Sequence, residues 1–256
     1  MKRAGQPLLS VVVPFHNSSE TIEACIESLL ASEPEPGSVE LIFVDNNSAD
    51  ESRDLVSRFS TVTLLDESQP GAYPARNRGL KAARAPIIAF TDADCTVDSM
   101  WCEVILERME EPELGILIGA VHFPPKASLP MHLLGGWENA KARWIADHAR
   151  AQQRIAYCNN MAVRSSLFQS LGWFRDWRRA GDSEFAQRVA SKRPEMTLAF
   201  DSRLRVVHHE FTRLRQRIRR LRRYQDTNQQ IEGFEELSTL QRAAVLGQWL
   251  SGRKQG

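Results

Sequence analysis

The chain has 256 residues, enough for one large domain or one and a half and long enough to bury a substantial core. With 42% hydrophobic and 25% charged residues it has the make-up of a soluble globular protein, which excludes disordered, collagen-like and coiled-coil chains. Lys+Arg 33 against Asp+Glu 32 leave a formal net charge of +1, so overall charge gives no argument for nucleic acid as a partner.

Met1 to Pro7 carries basic residues but no apolar h-region or small-residue cleavage site, so no signal peptide is read and a cytoplasmic location is expected. Leu8 to Val13 is a continuous apolar, β-branched run closed by Pro14, the pattern of a strand buried on both faces of a parallel sheet. Asn17 and Glu20 stand at capping-box spacing before an apolar stripe of Ile22, Cys25, Ile26, Leu29 and Leu30, which predicts a helix. The unit repeats, with a strand from Val39 to Val44, a second capping box at Ser48 and Glu51, and a helix face of Leu55, Val56 and Phe59. Val62 to Leu65 reads as a third strand. Pro70-Gly71 then marks a turn, and Pro74 falls in the first turn of a helix running through Leu80. Pro86 to Phe90 is a fourth strand, running into Thr91-Asp92-Ala93-Asp94.

Strands alternating with helices imply right-handed crossovers, a mainly parallel sheet, and a ligand at the carboxyl ends of the strands. The second half is less regular: a helix from Trp101 to Glu110, a strand from Leu114 to Phe123, helix from Leu133 to Arg150, and a strand from Leu204 to Val207 ending at His208-His209. Leu114 to Val121, the longest apolar stretch, is far short of the roughly 20 residues of a membrane-spanning helix. The four cysteines lack CxxC spacing and read as free thiols. The tail after Leu250 reads as frayed.

Asp92 and Asp94 are two carboxylates one residue apart after a buried strand; in an extended segment both face one side and can reach one ligand. Paired hard oxygens at a strand end suit Mg²⁺ or Mn²⁺ held together with substrate phosphates, although two acids that merely open a turn have the same spacing. Asp45 ends a parallel strand on the same rim, where its carboxylate can reach a base or ribose or else serve a turn. Arg76, early in its helix, offers a guanidinium fork to a phosphate or stands on the surface.

Together these segments resemble the ordered motifs of inverting family 2 glycosyltransferases: Ser10 to Asn17, Val44 to Ser48, Ala75 to Gly79, and Phe90 to Asp94. Asn159 to Phe168, Gly172 to Phe174 and Gly181 to Phe185 are similar to the family's acceptor-side segments in the same order, so the resemblance covers roughly residues 8 to 210. It implies the GT-A fold, an α/β architecture with a mainly parallel sheet, over residues 1–211, with a donor half at about 8–98, an acceptor half at about 99–211 and a basic helical extension at 212–256.

The implied activity is metal-dependent transfer of a hexose from a UDP- or GDP-linked donor to an acceptor hydroxyl, with inversion, in polysaccharide or glycolipid synthesis. Pro14, His16 and Asp45 would surround the base, and Arg76 would help to hold the donor. Asp92 would contact the ribose side through the Asp92-Ala93-Asp94 turn. Asp94 and His208 would bind Mn²⁺ or Mg²⁺; adjacent strand residues face opposite ways, so only one of His208 and His209 is expected to serve, and His208 is taken without the sequence deciding between them. Asn160 and Glu184 would face the substrate on the acceptor side, Glu184 also standing in reserve as base. Asp182 would be the general base that deprotonates the acceptor. Where the family has tyrosine after its first strand this chain has His16, and where it often has Glu-Asp this chain has Gly181-Asp182.

Seven arginines and no acid lie between Arg213 and Arg223, with Leu214, Ile218 and Leu221 on one face, so that helix can dock peripherally on an anionic membrane, cover the donor, bind nucleic acid, which the near-neutral net charge disfavours, or remain a solvated basic face. The acceptor is expected to be a saccharide or lipid-linked. Trp137 and Trp144 either stack on it or belong to the core. Two other readings compete. A nucleotidyltransferase would need a glycine-rich phosphate loop that Pro14 to Asn17 does not supply, and a catalytically silent binding or scaffold protein would keep the carboxylate pair but lose the base.

Overall fold

The computed structural model describes residues 6–209 and 235–252. The Arg213–Arg223 helix of the sequence reading lies outside them. Eight strands form one mixed sheet: β1 (Leu9–Phe15), β2 (Val39–Asp45), β3 (Val62–Asp66), β4 (Ile87–Thr91), β5 (Cys95–Val97), β6 (Leu114–His122), β7 (Asn160–Arg164) and β8 (Thr197–His208), in the spatial order β3-β2-β1-β4-β7-β6-β8-β5. The helices are α1 (Ile22–Ala31), α2 (Ser52–Ser57), α3 (Ala72–Ala82), α4 (Trp101–Arg108), α5 (Leu129–His148), α6 (Ser165–Leu171), α7 (Gly181–Lys192) and α8 (Thr239–Gly252).

β1 is buried along its whole length because the sheet is covered on both sides. Its alternate residues divide between two cores: Leu9, Val11, Val13 and Phe15 pack with α1 and α4, and Val12 packs with the α3, α6 and α7 side. α3 can lie close to the sheet because residue 79 is glycine; a Cβ there would come within 2.4 Å of a Val12 methyl. All four cysteines are buried and unpaired. Among the described residues, no helix is long and apolar enough to cross a membrane.

Neither predicted capping box forms. α1 starts at Ile22 with no side-chain cap, and Asn17 adopts φ 50° and accepts Ala49 N–H at its Oδ1. Ser48 accepts Asn17 N–H, and Asp50 holds the start of α2 through Ser52 N–H. These polar residues tie the β1–α1 and β2–α2 loops to each other, which a pattern confined to one helix does not reveal. β5, β7 and the first half of β8 were absent from the sequence reading.

The topology fixes the rim. β2 and β4 flank β1 in parallel, so the chain reverses direction of travel across the sheet at β1/β4, the point where such sheets open a crevice. β7 runs antiparallel to β4 and places Asn160 opposite Thr91. β6 is antiparallel to β7 and β8 parallel to β6, so β8 ends on the rim where β4 ends, with His208 opposite Cys95 of β5.

Candidate active site

One cleft of about 1240 Å³ opens on that rim. Pro14 and His16 at the end of β1 line it, together with Tyr73 and Arg76 of α3, the Asp92-Ala93-Asp94 turn, Asn159, Asp182, His208 and His209. His16 Nδ1 lies 2.8 Å from the Asn46 carbonyl oxygen, which only accepts, so the ring proton sits on Nδ1 and Nε2 accepts from the Asn17 amide at 3.2 Å.

Arg76 is buried and donates from Nη2 to Asp92 Oδ1 at 2.5 Å, with its guanidinium 5.5 Å from the Tyr73 ring centre. Burial works against its charge, but the acidic groups around it, the carboxylates of Asp92 and Asp182 among them, outweigh that penalty and hold the guanidinium protonated. Its Nε has no hydrogen-bond partner among the described residues.

Asp94 follows Asp92 around the turn, and its Oδ2 is 3.7 Å from His208 Nδ1. Ligand atoms of Asp94, Cys95 and His208 all lie within 4.8 Å of one another. His209 also reaches the cleft but differs in its bonds: its ring Nε2 is 2.9 Å from Thr96 Oγ1, and its backbone N–H donates to the Asp94 carbonyl.

Asp182 sits in the first turn of α7, where the helix dipole favours an anion. Oδ1 accepts from the Tyr73 hydroxyl at 2.9 Å and from Ser183 N–H at 2.9 Å, and Oδ2 accepts from Cys158 N–H at 3.1 Å. Burial nevertheless raises its carboxyl above the ordinary aspartate value, only partly offset by these bonds and by Arg76.

The structure holds three expected contacts away from the cleft. Asp45 is buried and its Oδ1 accepts Ser48 N–H, the turn role. Asn160 is a core residue: its amide donates to the carbonyls of Ala120 and Leu204 at 2.9 Å, and its Oδ1 accepts Trp101 Nε1–H at 2.9 Å. It faces inward because Asn159, one residue earlier, faces the cleft. Glu184 is buried between Arg188 (2.8 Å) and Arg175 (3.0 Å). Trp144 belongs to the core and stacks on His148, whereas Trp137 lines the cleft and meets Trp249 of α8.

Residues 10–172 match the sequence profile described as glycosyl transferase family 2. The chain belongs to this family. The profile ends before Asp182 and His208, which gain nothing from it. Among curated family relatives, glycosyltransferase AglE of Haloferax volcanii is 25% identical over 76% of this chain and 65% of its own length. The uncharacterized glycosyltransferase EpsJ of Bacillus subtilis is 34% identical over 70% of this chain and 55% of its own. The chain thus spans between half and two thirds of these relatives. A solved mannosyltransferase, PcManGT from Pyrobaculum calidifontis, in complex with GDP-Man and Mn²⁺, superposes with a TM-score of 0.66 at 20% identity, covering 96% of this chain and 69% of that one. TarS of S. aureus in complex with UDP-GlcNAc gives 0.62 at 16% identity, covering 79% and 58%. At these identities the likeness establishes the fold, which is the GT-A architecture expected of family 2.

Tyr73, Cys158 and Asn159 were not singled out as site residues from the sequence. Tyr73 had a readable signal, since it precedes Arg76 by three residues and so shares its helix face. Glu235, Glu236 and Arg242, which close one end of the cleft, had none.

Proposed function

We propose that the chain is a metal-dependent, inverting glycosyltransferase that moves a sugar from a UDP- or GDP-linked donor to an acceptor hydroxyl. The observation that carries this is the meeting, in one cleft, of the Arg76–Asp92 pair, the Asp94/His208 pair and the half-buried Asp182. Residues 8–98 hold the donor, 99–211 supply the acceptor side, and 212–256 form a C-terminal extension whose Glu235, Glu236 and Arg242 reach the cleft rim.

A carboxylate oxygen with an imidazole nitrogen suits Mn²⁺ or Mg²⁺, whereas the Cys95 thiol beside them is a softer donor that burial holds protonated. The Mn²⁺ in the PcManGT complex supports a divalent ion. Bound by Asp94 and His208, such an ion would offset the charge growing on the leaving diphosphate. Pro14 and His16 flank the base, and Arg76 orients Asp92 toward the ribose. Asp182 takes the proton from the acceptor hydroxyl; the new bond forms between that oxygen and the anomeric carbon as the bond to the diphosphate oxygen breaks, and one displacement inverts the centre. The carboxyl raised by burial suits a base that must both accept and release a proton.

Calorimetric binding of UDP and of GDP, with and without Mn²⁺, tests the donor side. We expect Mn²⁺-dependent binding of one nucleotide that Asp94→Ala removes. A folded chain that binds neither sinks the donor-site assignment.

A further inference from the structure

Resting on that reading of Asp182, we propose that Tyr73 is its positioning residue, and that Gly181 is glycine so that the tyrosine ring can occupy the space a side chain before the base would fill. The Tyr73 hydroxyl makes a two-way contact with residue 182, donating to Oδ1 at 2.9 Å and accepting the backbone N–H at 3.2 Å. One hydroxyl therefore fixes both the start of α7 and the rotation of the carboxylate. Tyr73 is buried and its ring packs against Phe174 with ring centres 5.5 Å apart, which holds it in place.

A Cβ on residue 181 would lie 3.0 Å from two Tyr73 ring carbons and 3.1 Å from a third, tighter than ordinary contact. A side chain at 181 would therefore press on the Tyr73 ring, which would have to give by a few tenths of an ångström. The side chain that reaches Asp182 here is a phenol from α3, the helix that also carries Arg76. Donor-side and acceptor-side groups are joined there by two residues of one helix, Tyr73 and Arg76.

The groups facing Asp182 are Tyr73 and Arg76 from α3, the Cys158 thiol and N–H ahead of β7, and Ser183 N–H from its own helix. The Tyr73 hydroxyl bonds to the charged form, so removing it makes the carboxylate harder to form. The test combines a site-resolved titration with turnover. The ¹³Cγ shift of Asp182, assigned with Asp182→Asn, is followed against pH in the full chain and in Tyr73→Phe. In parallel, UDP release from UDP-GlcNAc or GDP release from GDP-mannose is measured with water as acceptor.

We expect Tyr73→Phe to raise the Asp182 midpoint by on the order of one pH unit, to move the acidic limb of nucleotide release by the same amount, and to slow release about 10- to 100-fold. Nucleotide affinity should stay unchanged. Gly181→Ala should act in the same direction, and the double variant should lose no more than the worse single one, because both act through one contact. An unmoved midpoint in a folded Tyr73→Phe chain overturns the positioning role while leaving Asp182 as base. Unchanged release in Asp182→Asn overturns the reading of the base and this inference with it.

Discussion

On the donor side of the cleft, each polar group comes from a strand end and the loop or helix that follows it: His16 after β1, Arg76 early in α3, Asp92 and Asp94 after β4. On the acceptor side the groups come from scattered places, with Asn159 before an antiparallel strand, Asp182 at a helix start, His208 at the end of β8 and Glu236 beyond the sheet altogether. The difference teaches what a parallel βαβ unit does well. It delivers consecutive residues to one rim by local geometry, whereas an antiparallel insertion needs specific buried polar contacts to hold distant segments in register. Asn160 is that contact here, joining β7, β6, β8 and α4 through three hydrogen bonds of one side chain.

Separating the two sides by mutation gives the largest effects. Asp182→Asn should slow transfer about 10²- to 10⁴-fold with nucleotide affinity intact, read as turnover beside calorimetry. If binding falls as well, the two sides are not independent. The next effect comes from the seam. Asn160→Ala leaves the Trp101 indole N–H and two buried carbonyls without partners and should cost about 2–4 kcal/mol in urea unfolding. A cost near zero would mean that the acceptor side holds its register by apolar packing alone.

The acidic limb of the transfer rate should be smaller in effect but diagnostic. Burial raises the Asp182 carboxyl, and the base works only when deprotonated, so activity is lost as pH falls through a value above the usual carboxylate range. An acidic limb at or below about 3.9, the ordinary aspartate value, contradicts the assignment. Smallest is Ala180→Gly. Ala180 precedes α7 with φ 59°, a region that costs a residue with a Cβ more than glycine's extra freedom in the unfolded chain, so glycine should stabilise the chain by about 0.5 kcal/mol in thermal unfolding.

The same contrast explains what was legible in the sequence. β1 to β4 and their helices announce themselves through runs and stripes, and the structure puts on one rim both Arg76 and the Asp92–Asp94 turn, which those patterns pointed to, and Pro14 and His16, which only the family resemblance singled out. β5 has three residues and β7 five, too short for a period-2 signal to stand out. The exchange of Asn160 for Asn159 is a one-residue matter, and in a strand that is enough to send a side chain to the other face. Glu184 misled through its nearness to Asp182, although the Glu184/Arg188 spacing of four residues is itself the signature of a helix ion pair. The capping boxes were misread because Asn17 and Ser48 bond each other's loops instead of their own helices.

The four sequestered thiols give the folded chain a built-in reporter of its own breathing. Burial pushes the Cys102 thiol up to about 11 and raises the other three as well, and thiol reagents attack the thiolate at an accessible sulfur. The native chain should therefore label slowly, each sulfur at the rate at which its own region opens. Cys158 stands alone among the four in lining the cleft, so its labelling would time the opening of the acceptor wall, while Cys25 and Cys102, held in the core beneath the rim, would time the loosening of the sheet's far side.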